Sequence, residues 1–183
     1  MAQPDGELDL WLEQARSGDA DAEHRFLVAA RTILLRWAVV RTAALDEAED
    51  LTQDALIKVR ERWSQFEGRA QCTTWLYRVL QTTHLDRVRR RAARSRAESR
   101  AAGSVEGSSP CVRLENGLTD LVQRFLGALS ERQREIVNLV DLEGYSPEDV
   151  AGMTGLSSST VRVHLHRGRQ ALRTQIEEIW DHD

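Results

Sequence analysis

Between Ser158 and Arg169 the chain sets hydroxyls beside cations: Ser158, Ser159 and Thr160 come first, then Arg162, Val163, His166, Arg167 and Arg169. No acidic residue interrupts the stretch from Val150 through Ile176. Such a segment suits a phosphate-lined groove, where Arg contacts supply affinity and contacts to base edges supply choice. On a helical wheel Val161, Leu165, Gly168 and Leu172 share one stripe, while Ser159, Arg162, Val163, His166, Arg167 and Gln170 face the other way. The stripe is expected to pack and the other face to stay free. Just upstream, Ser146 can cap a short helix with Pro147 at its first position and Asp149 at its third. A Gly155-Leu156-Ser157 turn follows, and Ser157 caps the next helix. Cap, turn and charge together predict a helix-turn-helix.

A second basic island lies at the chain's centre. From Phe66 to Arg91 a loop with Gly68 and Arg69 enters a helix that carries Gln71, Cys72, Thr73, Trp75 and Tyr77 at its start and Arg78, Gln81, Thr82, Arg87 and Arg90 further on. Rings beside cations can stack unstacked bases and hold a single-strand backbone, although Trp75 and Tyr77 serve equally as core residues. Before it, the segment 45–59 places Ala48, Leu51, Ala55 and Val59 on one helical face and Glu49, Asp50, Gln53 and Asp54 on the other. That acidic face is either solvated or a docking surface for a basic partner.

The elements that must position these residues are all helical. No run alternates with the period of a half-buried strand. Helices are expected near 7–17, 20–42, 46–63, 72–92, 117–128, 131–143, 147–153 and 158–179. Between Ala93 and Asn116 the sequence turns small, polar and Arg-rich, which predicts a flexible linker. The expectation is an all-α chain of two small helical domains, 1–92 and 117–183, each with one basic island.

Composition sets the outer bounds. The 183 residues are 41% hydrophobic and 30% charged with a net charge of -4, which describes a globular protein rather than a disordered one. The net charge conceals segregation: residues 68–101 hold nine Arg against two acids, whereas residues 1–67 hold fourteen acids against eight cations. An acidic chain can therefore meet a polyanion at two separate places. The longest apolar stretch, Phe26 to Val40, is broken by Arg31 and Arg36, so no membrane insertion is expected and the location is expected to be cytoplasmic. Cys72 and Cys111 lie far apart without a paired motif, which fits free thiols in a reduced compartment.

With both halves in view, the chain resembles a bacterial RNA polymerase sigma factor of the sigma-70 family, in the small extracytoplasmic-function group. Three passages carry the resemblance: Asp46 to Ala55; Thr74 to Val79 with Asp86 and the arginines after it; and Leu129 to Val137 running on through Gly144, Val150, Gly155 and Thr160 to Arg169. It implies that residues 1–92 form sigma region 2 and 117–183 sigma region 4. Glu49, Asp50, Gln53 and Asp54 would dock on the β′ clamp helices of core RNA polymerase, whose β flap is a further expected partner. Gly68, Arg69, Gln71, Cys72, Thr73, Arg78, Gln81, Thr82, Arg87 and Arg90 would open and hold the -10 element, capturing a flipped base. Ser158, Ser159, Thr160, Arg162, Val163, His166, Arg167 and Arg169 would read the -35 element in the major groove. An anti-sigma factor is the expected regulator. The chain departs from many relatives at Gln71-Cys72, at Thr82 and at Val163-His164, so their base preferences are not carried over.

Other chemistries find no support in the residues. His164 and His166 stand two apart on a helix and point away from one another, so they cannot close on one ion. No Gly-rich phosphate loop, nucleophile triad or paired-acid site occurs, and neither catalysis nor a cofactor is expected. A stand-alone helix-turn-helix regulator is the alternative reading. It would need a different first domain, since a receiver alternates strands with helices around a phosphorylatable Asp. A protein that only sequesters polymerase would leave the 150–176 island unexplained.

Overall fold

The computed structural model describes residues 5–42, 44–68, 70–101 and 127–180. Among them the chain is helical, with no strand. The elements are α1 (Asp5–Arg16), α2 (Ala20–Arg41), α3 (Leu45–Arg62) with a 3-10 turn at Trp63–Gln65, α4 (Cys72–Ala101), α5 (Glu131–Val137) with a π-helical turn at Asn138–Leu142, α6 (Pro147–Thr154) and α7 (Ser158–Trp180).

Local chemistry explains the joints. Gly18 takes φ 99° between α1 and α2, and Asp19 then caps α2, its Oδ1 accepting from the amides of Asp21 at 2.9 Å and Ala22 at 3.0 Å. Small residues let α2 and α3 approach closely, for Ala29, Ala30, Ala38, Ala48 and Ala55 are all buried. On α3 the buried face is Ala48, Leu51, Ala55 and Val59, as the wheel predicts. Trp37 sits fully buried at the centre, edge-on to Tyr77 with centroids 5.6 Å apart. Edge-to-face geometry sets the ring's positive edge on the other's negative face.

Two boundaries differ from the sequence expectation. The helix expected to stop at residue 92 continues to Ala101. Its Ala and Arg residues are good helix formers, and with residues 93–97 exposed it is propensity that prolongs the helix there. The expected linker 93–116 is thus helical through Ala101, and its remainder, with the expected 117–128 helix up to 126, lies outside the described residues, as does Cys111. The expected helix 131–143 begins with a Ser130/Gln133 capping box but widens after Val137. There the amide of Glu143 reaches the carbonyl of Asn138 at 3.0 Å.

The two halves share one core. Ile136, Val137, Leu139, Val150, Met153, Val161 and Leu165 belong to the same buried cluster as Trp37 and Tyr77.

Candidate nucleic-acid interface

The helix-turn-helix is built as its residues dictate. Ser146 Oγ accepts from the Asp149 amide at 3.1 Å while Asp149 accepts from the Ser146 amide at 3.1 Å, so the first turn of α6 is capped from both sides. Gly155 ends α6 at φ 73°, a left-handed position that costs glycine nothing. Ser157 Oγ then accepts from the Thr160 amide at 3.1 Å and meets the hydroxyls of Ser159 and Thr160 at 2.9 and 2.7 Å. The start of α7 is therefore ringed with hydroxyls.

Helix α7 faces as the wheel predicts. Val161 and Leu165 are buried, Leu172 is half-buried, and Gly168 lies so close to α5 that a Cβ there would meet Val137 Cγ2 at 2.7 Å. Ser159, Arg162, Val163, His166, Arg167 and Arg169 are exposed on the other side, with Ser158 and Thr160 half-buried at the helix start. Their charges are not equal. Arg162 pairs with Glu148 of α6. Arg169 grips Asp141 with two bonds, Nε to Oδ2 at 3.1 Å and Nη2 to Oδ1 at 2.5 Å, a fork geometry that braces α7 against the π-helical turn. Arg167 and His166 are exposed and, among the described residues, carry no ion pair.

In the first half the predicted residues scatter more. Gly68 turns at φ 69° beside a cavity of about 350 Å³ lined by Asp9, Leu12, Glu13, Arg16, Phe66, Glu67 and Ala70. Arg69 lies outside the described residues. Gln71 is exposed at the head of α4. Cys72 and Thr73 are corrections: both side chains are buried, because the first turn of α4 packs against α1, where Asp9 Oδ1 accepts from the Cys72 amide at 3.0 Å. Neither can offer its side chain to a nucleic acid. Tyr77 is buried too, and Trp75 rests on Phe66 with centroids 5.3 Å apart, so of the two readings of these rings the core reading holds.

Further along α4 the cations are answered. Arg78 donates to the carbonyl of Gly152 at 3.1 Å, which sets the predicted -10 helix against α6. The exposed Thr82 turns its hydroxyl back to the carbonyls of Arg78 and Val79 at 2.9 and 3.0 Å, and Gln81 is half-buried. Arg87 bonds Asp54 at 2.9 Å and Asp50 at 3.4 Å, and Arg91 bonds Glu47 at 2.8 Å. Two of the acids read as a docking surface thus hold an arginine read as a DNA contact. Exposed pairs of this kind are worth about 0–1 kcal/mol, so either member can be taken by a stronger partner. Glu49, Gln53 and Arg90 remain exposed.

Sequence reasoning missed Glu135. It is buried between the halves, taking Arg41 Nη2 at 2.5 Å, Arg132 Nη1 at 2.6 Å and the Tyr77 hydroxyl. Burial foremost, and then the Glu135 carboxylate against the opposing pull of Arg41, pushes the Tyr77 hydroxyl well above the ordinary tyrosine range. Only Arg132, three residues away, gives a local hint of this hub; Arg41 and Tyr77 are remote in sequence. Among the described residues no group of three His, Cys, Asp or Glu is placed to hold a metal. No described helix is long and apolar enough to cross a membrane.

Two family descriptions match along the chain: Sigma-70 region 2 over residues 27–94, and Sigma-70 region 4 over residues 119–172. The ECF RNA polymerase sigma factor SigM of Mycobacterium tuberculosis is 32% identical over 139 residues, covering 76% of this chain and 69% of that protein. SigW of Bacillus subtilis is 24% identical over 181 residues, covering 92% and 96% of the two chains. Among solved structures, the sigma factor RpoE of Bartonella quintana, in complex with its anti-sigma factor NepR, superposes with a TM-score of 0.66 at 26% identity, covering 84% of this chain and 96% of that one.

Proposed function

The chain belongs to the extracytoplasmic-function sigma factors of the sigma-70 family, and from that premise we propose that it is a promoter-specificity subunit. It binds core RNA polymerase, brings it to the -10 and -35 elements of one regulon, and is held in check by an anti-sigma factor. Proteins of this kind are transcription initiation factors; we read this one as acting in the cytoplasm with no catalytic site of its own. The observation that carries the reading is the outer face of α7. A capped helix-turn-helix presents Ser159, Arg162, Val163, His166 and Arg167 to solvent on a helix whose opposite stripe is packed.

In this reading α7 enters the major groove at the -35 element, with its hydroxyl-rich start near the phosphates and Arg162 and Arg167 reaching further. The first half handles the -10 element. Gly68 lines the cavity beside α1, which would receive an unstacked base with Arg69 and Gln71 as further contacts of the loop, and its Asp9, Glu13 and Glu67 carboxylates suit base N–H groups better than phosphate. Arg78, Arg87 and Arg90 would follow the backbone of the separated strand. Glu49, Asp50, Gln53 and Asp54 would meet the basic clamp of polymerase, drawing Asp50 and Asp54 away from Arg87 and releasing that arginine for DNA.

Transcription reconstituted from purified core polymerase on genomic fragments tests the reading. Addition of the chain is expected to create initiation sites that core alone does not use. Absence of new sites, together with failure to co-purify with core, would overturn it.

A further inference from the structure

Helix α7 does not hold its arginines alike. Arg169 gives two nitrogens to Asp141, Nε to Oδ2 at 3.1 Å and Nη2 to Oδ1 at 2.5 Å, so one whole edge of its fork is spent within the protein. Arg162 gives a single nitrogen, Nη2, to one oxygen of Glu148 on α6. Arg167, among the described residues, carries no ion pair. Arg162 and Glu148 are both more than half exposed, and an exposed pair adds little to stability. Its consequence is orientation.

We propose, on the promoter reading given above, that Glu148 is a positioning residue for sequence reading: it aims the Arg162 guanidinium at a guanine of the -35 duplex, whereas Arg167 adds affinity without choice. A guanidinium is planar, with its donors in a rigid fork, and it bonds O6 and N7 of guanine in pairs. That contact requires the plane of the fork to lie along the base edge. An untethered arginine on its long stem samples many planes and meets phosphates as readily as bases. A carboxylate on one nitrogen removes most of those planes and leaves the remaining donors for the base. The same carboxylate repels phosphate, which turns Arg162 from the backbone toward the base edges.

Glu148 can position another side chain because its own backbone is fixed. It is the second residue of α6, after Pro147, whose ring sets φ, and before Asp149, which closes the capping box with Ser146. A carboxylate in the first turn of a helix is also favoured by the helix dipole. The turn at Gly155 and the buried Val150, Met153, Val161 and Leu165 set α6 against α7. Arg162, 14 residues away in sequence, is thus held by a partner with little freedom of its own.

Base preference in initiation tests this. A barcoded template pool carries one start site mapped for the chain with core polymerase, its -35 element randomised. The unaltered chain is expected to favour guanine at one position by at least about tenfold. Glu148→Ala is expected to cut that preference at least about fivefold while the preferences at the other positions persist. Glu148→Gln keeps a carbonyl acceptor for Arg162 and is expected to retain most of it. Arg162→Ala should flatten the same position, and adding Glu148→Ala to it should change nothing further there. Should Glu148→Ala lose its helical circular dichroism, Glu148→Lys asks the same question with a side chain that repels the guanidinium. A guanine preference untouched by the variants overturns the proposal. So does a change equal at every position, or a position set by Arg162 that prefers another base. If the unaltered chain initiates nowhere with core, or without regard to the -35 element, the promoter reading falls and this inference with it. If the preference exists and the Glu148 variants leave it in place, only the role of Glu148 falls.

Discussion

Helices α4 and α7 are both long, both basic and both read as nucleic-acid contacts, but the structure treats them differently. On α7 the apolar stripe and the charged face divide cleanly, and the face that carries Arg162, Val163, His166 and Arg167 is open to solvent. On α4 the first turns are core: Cys72, Thr73, Leu76, Tyr77 and Leu80 are buried, the exposed Arg78 donates to the Gly152 carbonyl of α6, and Arg87 is held by Asp50 and Asp54. The helices differ in how much of their length is core rather than in whether their cations are paired, for Arg162 and Arg169 of α7 hold Glu148 and Asp141 just as Arg87 of α4 holds Asp54. A helix proposed only to read duplex can be finished before it meets DNA. A helix that also carries a domain core, as α4 does, gives its first turns to packing and leaves its cations to the later ones.

That contrast can be broken most severely at the shared core. Trp37→Ala should cost about 3–5 kcal/mol. Because Trp37 contacts both Tyr77 and Tyr145, urea unfolding followed by labels in each half should shift together; a shift confined to the first half would mean that the core is not shared. Gly168→Val is expected to destabilise the α7 half by about 1–3 kcal/mol, since even a Cβ meets Val137 Cγ2 at 2.7 Å, and the denaturation midpoint checks it. On the open face, Arg162→Ala should weaken -35 recognition by about 1–3 kcal/mol if the side chain makes a paired base contact. Binding to wild-type and altered -35 duplexes distinguishes that loss from a uniform loss, which would place Arg162 on the backbone.

The smallest effects sharpen the joints. Ser146→Ala removes the α6 cap and should cost about 1 kcal/mol, read from the thermal midpoint. His84, beside the interface, has its pKa lowered by burial first and by Arg41 next. A base whose folded pKa lies below its unfolded value binds fewer protons when folded, so its stabilising contribution is present above the ordinary 6.5 and lost as pH falls below it. His84→Asn should flatten the acid limb of the stability profile, and an unchanged limb would remove the histidine from the account.

Much of this was legible in the residues. The capped helix-turn-helix, the stripe from Val161 to Leu172 and the buried face of α3 follow from period and capping alone, because each depends on contacts within one or two turns. What was not legible is the pairing. The bonds of Arg162 to Glu148, Arg169 to Asp141 and Arg87 to Asp50 and Asp54 cross between helices, and no local pattern marks which acid meets which arginine. The burial of Cys72 and Thr73 was hidden for the same reason: short polar residues at a helix start serve a cap, a core or a ligand equally well, and here packing on α1 decides. Glu135 is the extreme case, a carboxylate inside a folded interface whose partner Arg41 is 94 residues away.

The central claim is that the open face of α7 directs core polymerase to particular promoters. Mapping the 5′ ends of transcripts made from a genomic library by core polymerase, with the wild-type chain and with Arg167→Ala, tests it most directly. The account predicts new start sites sharing a -10 and a -35 element with the wild-type chain, and selective loss of the sites most dependent on their -35 element with Arg167→Ala. Start sites identical to those of core alone, or a set untouched by loss of Arg167 together with Arg162, would contradict it.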